Sequence, residues 1–563
     1  MSNRIRRRTM LGLSPLAMAA CAKGGEYFGK TEAPDQQRLI YQIGAEPGTL
    51  DPALSAAGAE DFILPSMFEG LVTLHPTSAE PLAGIATHYE SNSNHTRYTF
   101  YLRGHPNPSG TKLPSTASGL RPAHWSDGRP ITAHDFVYSW RRVLDPKTGS
   151  PMNSFLYCIR NAEEIVTRKR PVEDLAVRAL DDLSLEVDMR SSTPHFLQLQ
   201  DMMSFYAVPR HVIERVGPAW TKPEHMVTSG AFTLREWRPY EVIRLARNPH
   251  HYESEMVVLN DVTLLPVSDA TANVNLYKAG ESDSMSGKLV APVFLPLLRN
   301  KRDFHVRPAF SSMFYVINTK LPPFDNVLVR YALNMATDKK AIARYLASGQ
   351  AAALSLMPPF QGYPPVQSLP VPIDGATYDV LSYNPEAARA LMRKAGVERL
   401  PLEILYPNRP ATKDLPQILQ QQWRETLGAE VALATQEEQV WIENRNALRY
   451  KGVSERGWEG DYLDPNTFLE AFRSGPSIIG SGWSDPQFDT LFEDANATPG
   501  RLERLAKLAA CERLMLCAMP IIPLFYNVKV YMQKPYVRNF DAGPISIMRF
   551  KYARIDTDWR QAR

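Results

Sequence analysis

Three carboxylates stand within the ten residues RGWEGDYLDP, from Arg456 to Pro465: Glu459, Asp461 and Asp464, beside Trp458 and Tyr462. Two chemistries use such groups. An acid and base pair cleaves glycosidic bonds when two carboxyls are held at a set separation and one has a raised pKa. A single ionised carboxylate instead grips a cationic group, with aromatic side chains shaping and partly drying the pocket. The spacing alone leaves both open. Other catalytic signatures are missing: Gly480–Trp483, GSGW, does not complete a G-x-S-x-G elbow, and H-E-x-x-H is absent. His250 and His251 are adjacent, so their side chains diverge on a strand. No G-x-x-x-x-G-K-[ST] phosphate loop occurs.

The elements that must position these residues alternate along the chain. RLIYQIG (Arg38–Gly44), RYTFYLR (Arg97–Arg103), LSLEVDM and PLEILYP read as strands, and GAFTLREWRPYEVIRLARNP as a hairpin. Thr132 with Asp135 forms a capping pair that opens a helix with Phe136, Val137, Trp140, Val143 and Leu144 on one face, and Pro146 ends the run. A helix starts near Asp269, and two more meet near Thr337 and Asp338. Pro385 and Gly396 bracket another helix, and Leu415–Leu427 a further one. Residues 104–124, rich in Gly, Pro and Ser, read as a long surface loop. Strands alternating with helices predict an α/β architecture whose parallel sheets are covered on both faces.

At 563 residues the chain calls for two or three lobes, and its 44% hydrophobic and 22% charged composition is that of an ordinary water-facing protein. Residues 1–20 hold Arg4, Arg6, Arg7 and Arg8 and no acid; without them 59 basic residues face 60 acidic ones. A near-neutral body argues against nucleic acid as a partner. The basic start and the short apolar run MLGLSPLAMAA before Cys21 read as an export signal, too short for a span that needs about 20 residues. Cys511 and Cys517 lie six apart on a helix and face different sides, so with Cys158 they are expected to be buried free thiols.

TLDP (Thr49–Pro52), FEGL (Phe68–Leu71), YTFYLR, WSDGRPITAHDFVYSWRRVLDPKTGSP (Trp125–Pro151), TSGAFTL, LARNPHHY and WEGDYLDP together resemble the oligopeptide-binding proteins of ABC importers, extracytoplasmic solute-binding family 5. The resemblance runs from about residue 38 to the C-terminus. It implies a two-lobed periplasmic-binding-protein fold with an extra domain and a ligand cleft between the lobes. Lobe I would comprise 38–68, 210–310 and 525–563, the extra domain 69–209 and lobe II 311–524, behind an export signal at 1–20 and a tether at 21–37. MAAC also resembles a lipobox, which implies lipid attachment at Cys21, and RRTML resembles a twin-arginine motif.

In relatives an aspartate of the W-x-x-D-Y segment pairs with the α-ammonium of a peptide; it falls on Asp461 here, and Trp458, Tyr462 and Gly457 join it in the implied ligand pocket. This chain departs from the pattern at Ala56, where an acid is usual, at Met152, where a tyrosine is usual, and at Glu455, where an arginine aligns. The implied function is capture of a short peptide by lobe closure and delivery to a permease driven by separate ATPase subunits. The implied protein is a monomer in the periplasm or cell envelope, touching the membrane through its lipid alone, with no cofactor, no metal and no catalysis. The substituted positions keep two alternatives open: another solute (an amine, a metal chelate or a sugar) or an exported hydrolase of envelope peptides or glycans.

Overall fold

Alternation sets the first strand, Arg38–Gln42: Leu39 and Tyr41 are enclosed while Arg38 reaches solvent. It pairs in parallel with Asp261–Leu265 and Ser284–Met285, and from there one sheet runs through both lobes. Its order is Glu430–Gln436, Pro401–Pro407, Gly452–Glu459, Phe304–Ile317, Ile521–Gln533, Ser284–Met285, Arg38–Gln42, Asp261–Leu265, Val242–Arg247, Phe232–Arg238. This computed structural model describes residues 26–560 apart from 57, 116–120, 410–412, 476–477 and 546–547. The export signal and Cys21 lie outside the described residues.

Two long strands, Phe304–Ile317 and Ile521–Gln533, carry the sheet from one lobe to the other. They pair antiparallel as Phe304–Pro308 with Val528–Met532, then again as Ser312–Val316 with Ile521–Tyr526, with the register broken between. Pro308 has no N–H to continue the ladder. Within the break Phe310 donates to the Pro544 carbonyl at 2.8 Å, and Asn527 Nδ2 donates to Ser311 Oγ at 2.8 Å. The chain thus crosses between lobes where its own hydrogen bonding is interrupted, the place where a sheet bends most easily.

Separate cores fill the bodies so joined. One gathers residues from Phe310 to Phe525, another joins Leu39, Phe232 and Trp559, and a third joins residues of the extra domain from Leu71 to Ala207. The extra domain's sheet runs Thr111–Lys112, Ala86–Ser91, Arg97–Leu102, Ser184–Asp188, Val177–Asp181 and is antiparallel throughout. The helix Ala133–Leu144 covers it with Phe136, Trp140, Val143 and Leu144, and Thr132 and Asp135 form the capping box.

The expectation of parallel sheets therefore holds in part. Pro401–Pro407 is parallel to both of its neighbours, but the lobe-crossing strands and the extra domain are antiparallel, because short hairpins and long returns replace helical crossovers there. The loop 104–124 also contributes the edge strand Thr111–Lys112. Of the thiols, Cys511 is buried, Cys158 half-buried and Cys517 exposed, so Cys517 corrects the expectation: its position on the helix Arg501–Ala518 turns it from the core.

The extra domain is bolted to lobe I by charged pairs. Arg142 grips Asp51 with both guanidinium nitrogens, at 2.9 and 2.5 Å, and Trp220 Nε1 donates to the same carboxylate. Lys551 lies between Glu69 at 3.1 Å and Glu253 at 3.0 Å; Tyr252 donates to Glu69, and His251 stands 3.3 Å from it. Ser126 and Thr228 exchange hydrogen bonds, and Ser229 Oγ accepts from the Glu69 amide.

Candidate functional site

Gly452–Glu459 delivers the acidic segment to the carboxyl edge of the lobe II sheet, the edge where ligands bind in open α/β sheets. Gly457 pairs with Met313 and Trp458 with Ser312. At Gly460 the chain turns under Phe310: its amide donates to the Phe310 carbonyl at 2.8 Å, and a Cβ here would stand 2.5 Å from the Phe310 ring. The short helix Asn466–Leu469 follows, opened by Asp464 accepting from the Asn466 amide at 2.9 Å. Thr467 on that helix reaches back to Asp461. Its hydroxyl accepts from the Asp461 amide at 3.2 Å and stands 3.3 Å from Oδ2.

The three carboxylates differ in what neutralises them. Glu459 is paired with Lys529 of the lobe-crossing strand. Asp464 is held by Arg504 in a two-pronged bridge of 2.7 and 2.8 Å. Burial opposes the Asp464 charge, but Arg504 outweighs it, and the carboxyl sits below its ordinary range. Asp461 makes no ion pair among the described residues. Asp461 is exposed to solvent, and protein atoms nearby displace part of its water. That loss of water pushes its carboxyl above the ordinary value, against the Thr467 hydrogen bond and with added push from Glu459.

Glu470 lies close by. Its carboxyl is pushed up to about 7, chiefly by loss of water and then by Asp461 and Asp464, against the hydrogen bond from Tyr462. Tyr462 is 2% exposed and sits in the extra domain's core, its ring stacked on His195 at 5.1 Å. Its hydroxyl donates to Glu470 at 3.2 Å and accepts from Asn466 Nδ2 at 2.8 Å. Tyr462 thus fastens the acidic segment to the extra domain. Trp458 is half-buried, with the Arg456 guanidinium 5.1 Å over its ring. Glu455, on the opposite face of the strand, is buried and accepts from the Tyr315 hydroxyl at 3.5 Å.

The four residues assigned to a pocket are thus neighbours, with Asp461 and Trp458 open to solvent in part. Thr467, Glu470, Arg504 and Lys529 went unrecognised in the sequence. Thr467 and Glu470 are near in the chain but carry no motif, and Arg504 and Lys529 are 40 and 70 residues from their partners. Among the described residues no group of three or more His, Cys, Asp or Glu could hold a metal, and no helix is long and apolar enough to cross a membrane.

The family model for bacterial extracellular solute-binding proteins, family 5, matches residues 119–478. The periplasmic oligopeptide-binding protein OppA of Salmonella typhimurium is 31% identical over 535 residues, 94% of each chain. The probable deoxycholate-binding periplasmic protein YgiS of Escherichia coli is 31% identical over 545 residues, 95% of this chain and 96% of its own. Among solved structures, the unliganded open form of the periplasmic murein tripeptide-binding protein MppA superposes with a TM-score of 0.77 at 28% identity, covering 93% of this chain and 98% of the other.

Proposed function

The chain belongs to the bacterial extracellular solute-binding proteins, family 5, and we propose that it captures short peptides through their α-ammonium at Asp461 and hands them to an ABC permease powered by separate ATPase subunits. One observation carries the reading. Of three clustered carboxylates, two are neutralised by protein cations and Asp461, among the described residues, is not. A carboxylate left without a counter-ion is the complement of an ammonium, and when lobe closure encloses the two, each lessens the other's cost of leaving water. Catalysis would need two carboxyls disposed about one bond, but Glu459 is engaged by Lys529 and Asp464 by Arg504. The proposed activity is binding without turnover.

Capture proceeds by closure of the lobes about the interrupted pair of crossing strands, and peptide drives closure to the extent that it binds the closed form more tightly. The boundaries proposed for the bodies are those implied by the resemblance: 38–68, 210–310 and 525–563 for lobe I, 69–209 for the extra domain and 311–524 for lobe II. The proposed setting is the periplasm or cell envelope, with the monomer tethered by lipid at Cys21. A second reading has specific support. Arg456 Nε is buried without a hydrogen-bond partner among the described residues, and one relative is named for deoxycholate, an acid without an amine, so an amphipathic acid would fit the same cleft.

Thermal unfolding of protein beginning after Cys21, refolded to strip carried ligand, separates these. Short peptides at 100 times Kd should stabilise it by about 2.7 kcal/mol. The gain should vanish when the peptide is N-acetylated or when Asp461→Asn is introduced. Stabilisation that survives both changes would rule out the ammonium anchor.

A further inference from the structure

Before its first strand the chain is seated on lobe I and does not hang free. The Phe28 amide donates to both oxygens of Asp303, at 3.0 and 3.2 Å, and the Phe28 carbonyl accepts from Lys534 Nζ at 3.0 Å. The Phe28 ring is 6% exposed and shares a small core with Tyr277, Leu298 and Phe304. Gly29 has a φ of +77°, and a Cβ there would meet the Lys278 carbonyl oxygen at 2.1 Å, so the seat takes glycine alone. One residue before Phe28, Tyr27 lies edge-on to Trp559 at 5.5 Å and under the Arg302 guanidinium at 4.9 Å. The Glu26 carbonyl, where the described chain begins, accepts from the Arg302 amide at 3.3 Å.

The segment that receives this seat, residues 291–302 (APVFLPLLRNKR), has two sides. Leu298 turns inward to the core that holds Phe28, with Phe294 and Leu295 packed at its edge. Val293 and Leu297 stand four apart, on one side of the turns Pro292–Phe294 and Leu295–Leu298, and are 75% and 51% exposed. Arg299, Lys301 and Arg302 follow them, and the segment contains no acid. Arg299 and Arg302 both face water. Aliphatic side chains this open, with cations beside them, suit a surface that lies in the headgroup region of an anionic bilayer.

Where the chain leads identifies what covers these side chains. Cys21 stands five residues before Glu26, at most about 18 Å of extended backbone. With its lipid in the bilayer, Cys21 keeps Glu26 and the adjoining segment within that distance of the headgroups. We propose that residues 291–302 lie on the bilayer itself, with Val293 and Leu297 among the headgroups and Arg299 and Arg302 against anionic ones. The proposal rests on the reading of Cys21 as the lipid site and extends it. Contact is through lobe I as well as through lipid, and the body stands on the membrane in one orientation, with the seated Phe28 as its fixed point.

Hydrogen exchange read by mass spectrometry tests this on the lipidated protein in vesicles of equal parts phosphatidylcholine and phosphatidylglycerol. The reference is protein beginning after Cys21, free in buffer. Amides of 291–302 should exchange several-fold more slowly on the vesicles, and the double variant Val293→Ser with Leu297→Ser should lose that protection. Its unfolding midpoint should equal that of wild type, since both side chains already face water.

A lipidated chain that is bound to vesicles but exchanges at 291–302 as it does in buffer would overturn the membrane face and leave the lipid anchor standing. Protection that survives the double variant would overturn it too, because the shielding would then come from elsewhere. If intact mass shows no lipid on Cys21, the anchor reading fails, and sedimentation of the unlipidated protein with the same vesicles decides the face. Binding that weakens about tenfold in the double variant and about fivefold in Arg299→Gln would uphold it. No binding would overturn both.

Discussion

At the scale of single residues, the partner of each carboxylate decides its role. Glu470, with its carboxyl near 7, is about half protonated at neutral pH before any ligand arrives. An ammonium entering beside Asp461 favours the ionised form of both acids and expels that proton. Calorimetry of peptide binding at pH 7 in two buffers of different ionisation enthalpy should show release of up to about half a proton, abolished in Glu470→Gln. No proton release by wild type would remove Glu470 from the site. Because cation binding needs the ionised carboxylates, affinity should be full above their pKa values and fall from pH 8 to 5.5. For stability the sign is reversed: a carboxyl raised to about 7 favours the folded state below its unfolded value and loses that contribution as pH rises through 7. Unliganded Glu470→Gln should therefore melt above wild type at pH 8 and with it at pH 5. The Asp464 pair behaves oppositely. Arg504→Met leaves a buried, unpaired charge and should cost about 3–5 kcal/mol in denaturant unfolding at pH 7. A loss under 1 kcal/mol would mean that Asp464 takes up a proton at little cost.

Elements impose the next constraint. The strand Gly452–Glu459 and the helix Asn466–Leu469 are joined by a turn with no room at Gly460, where an added Cβ meets the Phe310 ring at 2.5 Å. Gly460→Ala should destabilise the protein by about 1–3 kcal/mol and shift Asp461 enough to weaken peptide binding; unchanged unfolding would show that Phe310 can give way. Thr467 links helix to turn. Thr467→Val keeps the shape and removes both hydrogen bonds to Asp461, for an expected loss of about 1 kcal/mol of stability and a several-fold loss of peptide affinity. Affinity equal to wild type would show that Asp461 holds its place without the helix.

At the scale of the whole molecule, two kinds of connection coexist. The crossing strands carry a break in their ladder at Pro308–Ser312, whereas the extra domain meets lobe I through buried bridges at Asp51, Glu69 and Lys551. An interrupted ladder resists bending less than buried bridges do, so the proposed closure should move lobe II against lobe I with the extra domain attached. Small-angle scattering should show a smaller radius of gyration with saturating peptide, and none of that change for Asp461→Asn at the same concentration. An unchanged radius in peptide-bound wild type would mean that binding does not close the cleft.

Local order was plain in the amino-acid sequence, since strands, helices and caps answer to spacings of two to four residues. Thr132 with Asp135, Asp269, Asp338, and Pro385 with Gly396 all stand where the helices begin and end. The family was legible too, because its signature is dense. TLDP, FEGL, WSDG, SWRR, TSGAF and NPHHY prove to be parts that meet one another in space, through buried charges and hydrogen bonds. What the three carboxylates of RGWEGDYLDP do was decided by tertiary structure alone. Identical functional groups a few residues apart differ by whether Lys529 or Arg504 folds back onto them, and no local pattern encodes a partner 40 or 70 residues away. The surroundings of Arg456 were hidden for the same reason: strand alternation sets it on the face opposite Glu455, but only the packed neighbours reveal that its Nε finds no hydrogen-bond partner among the described residues.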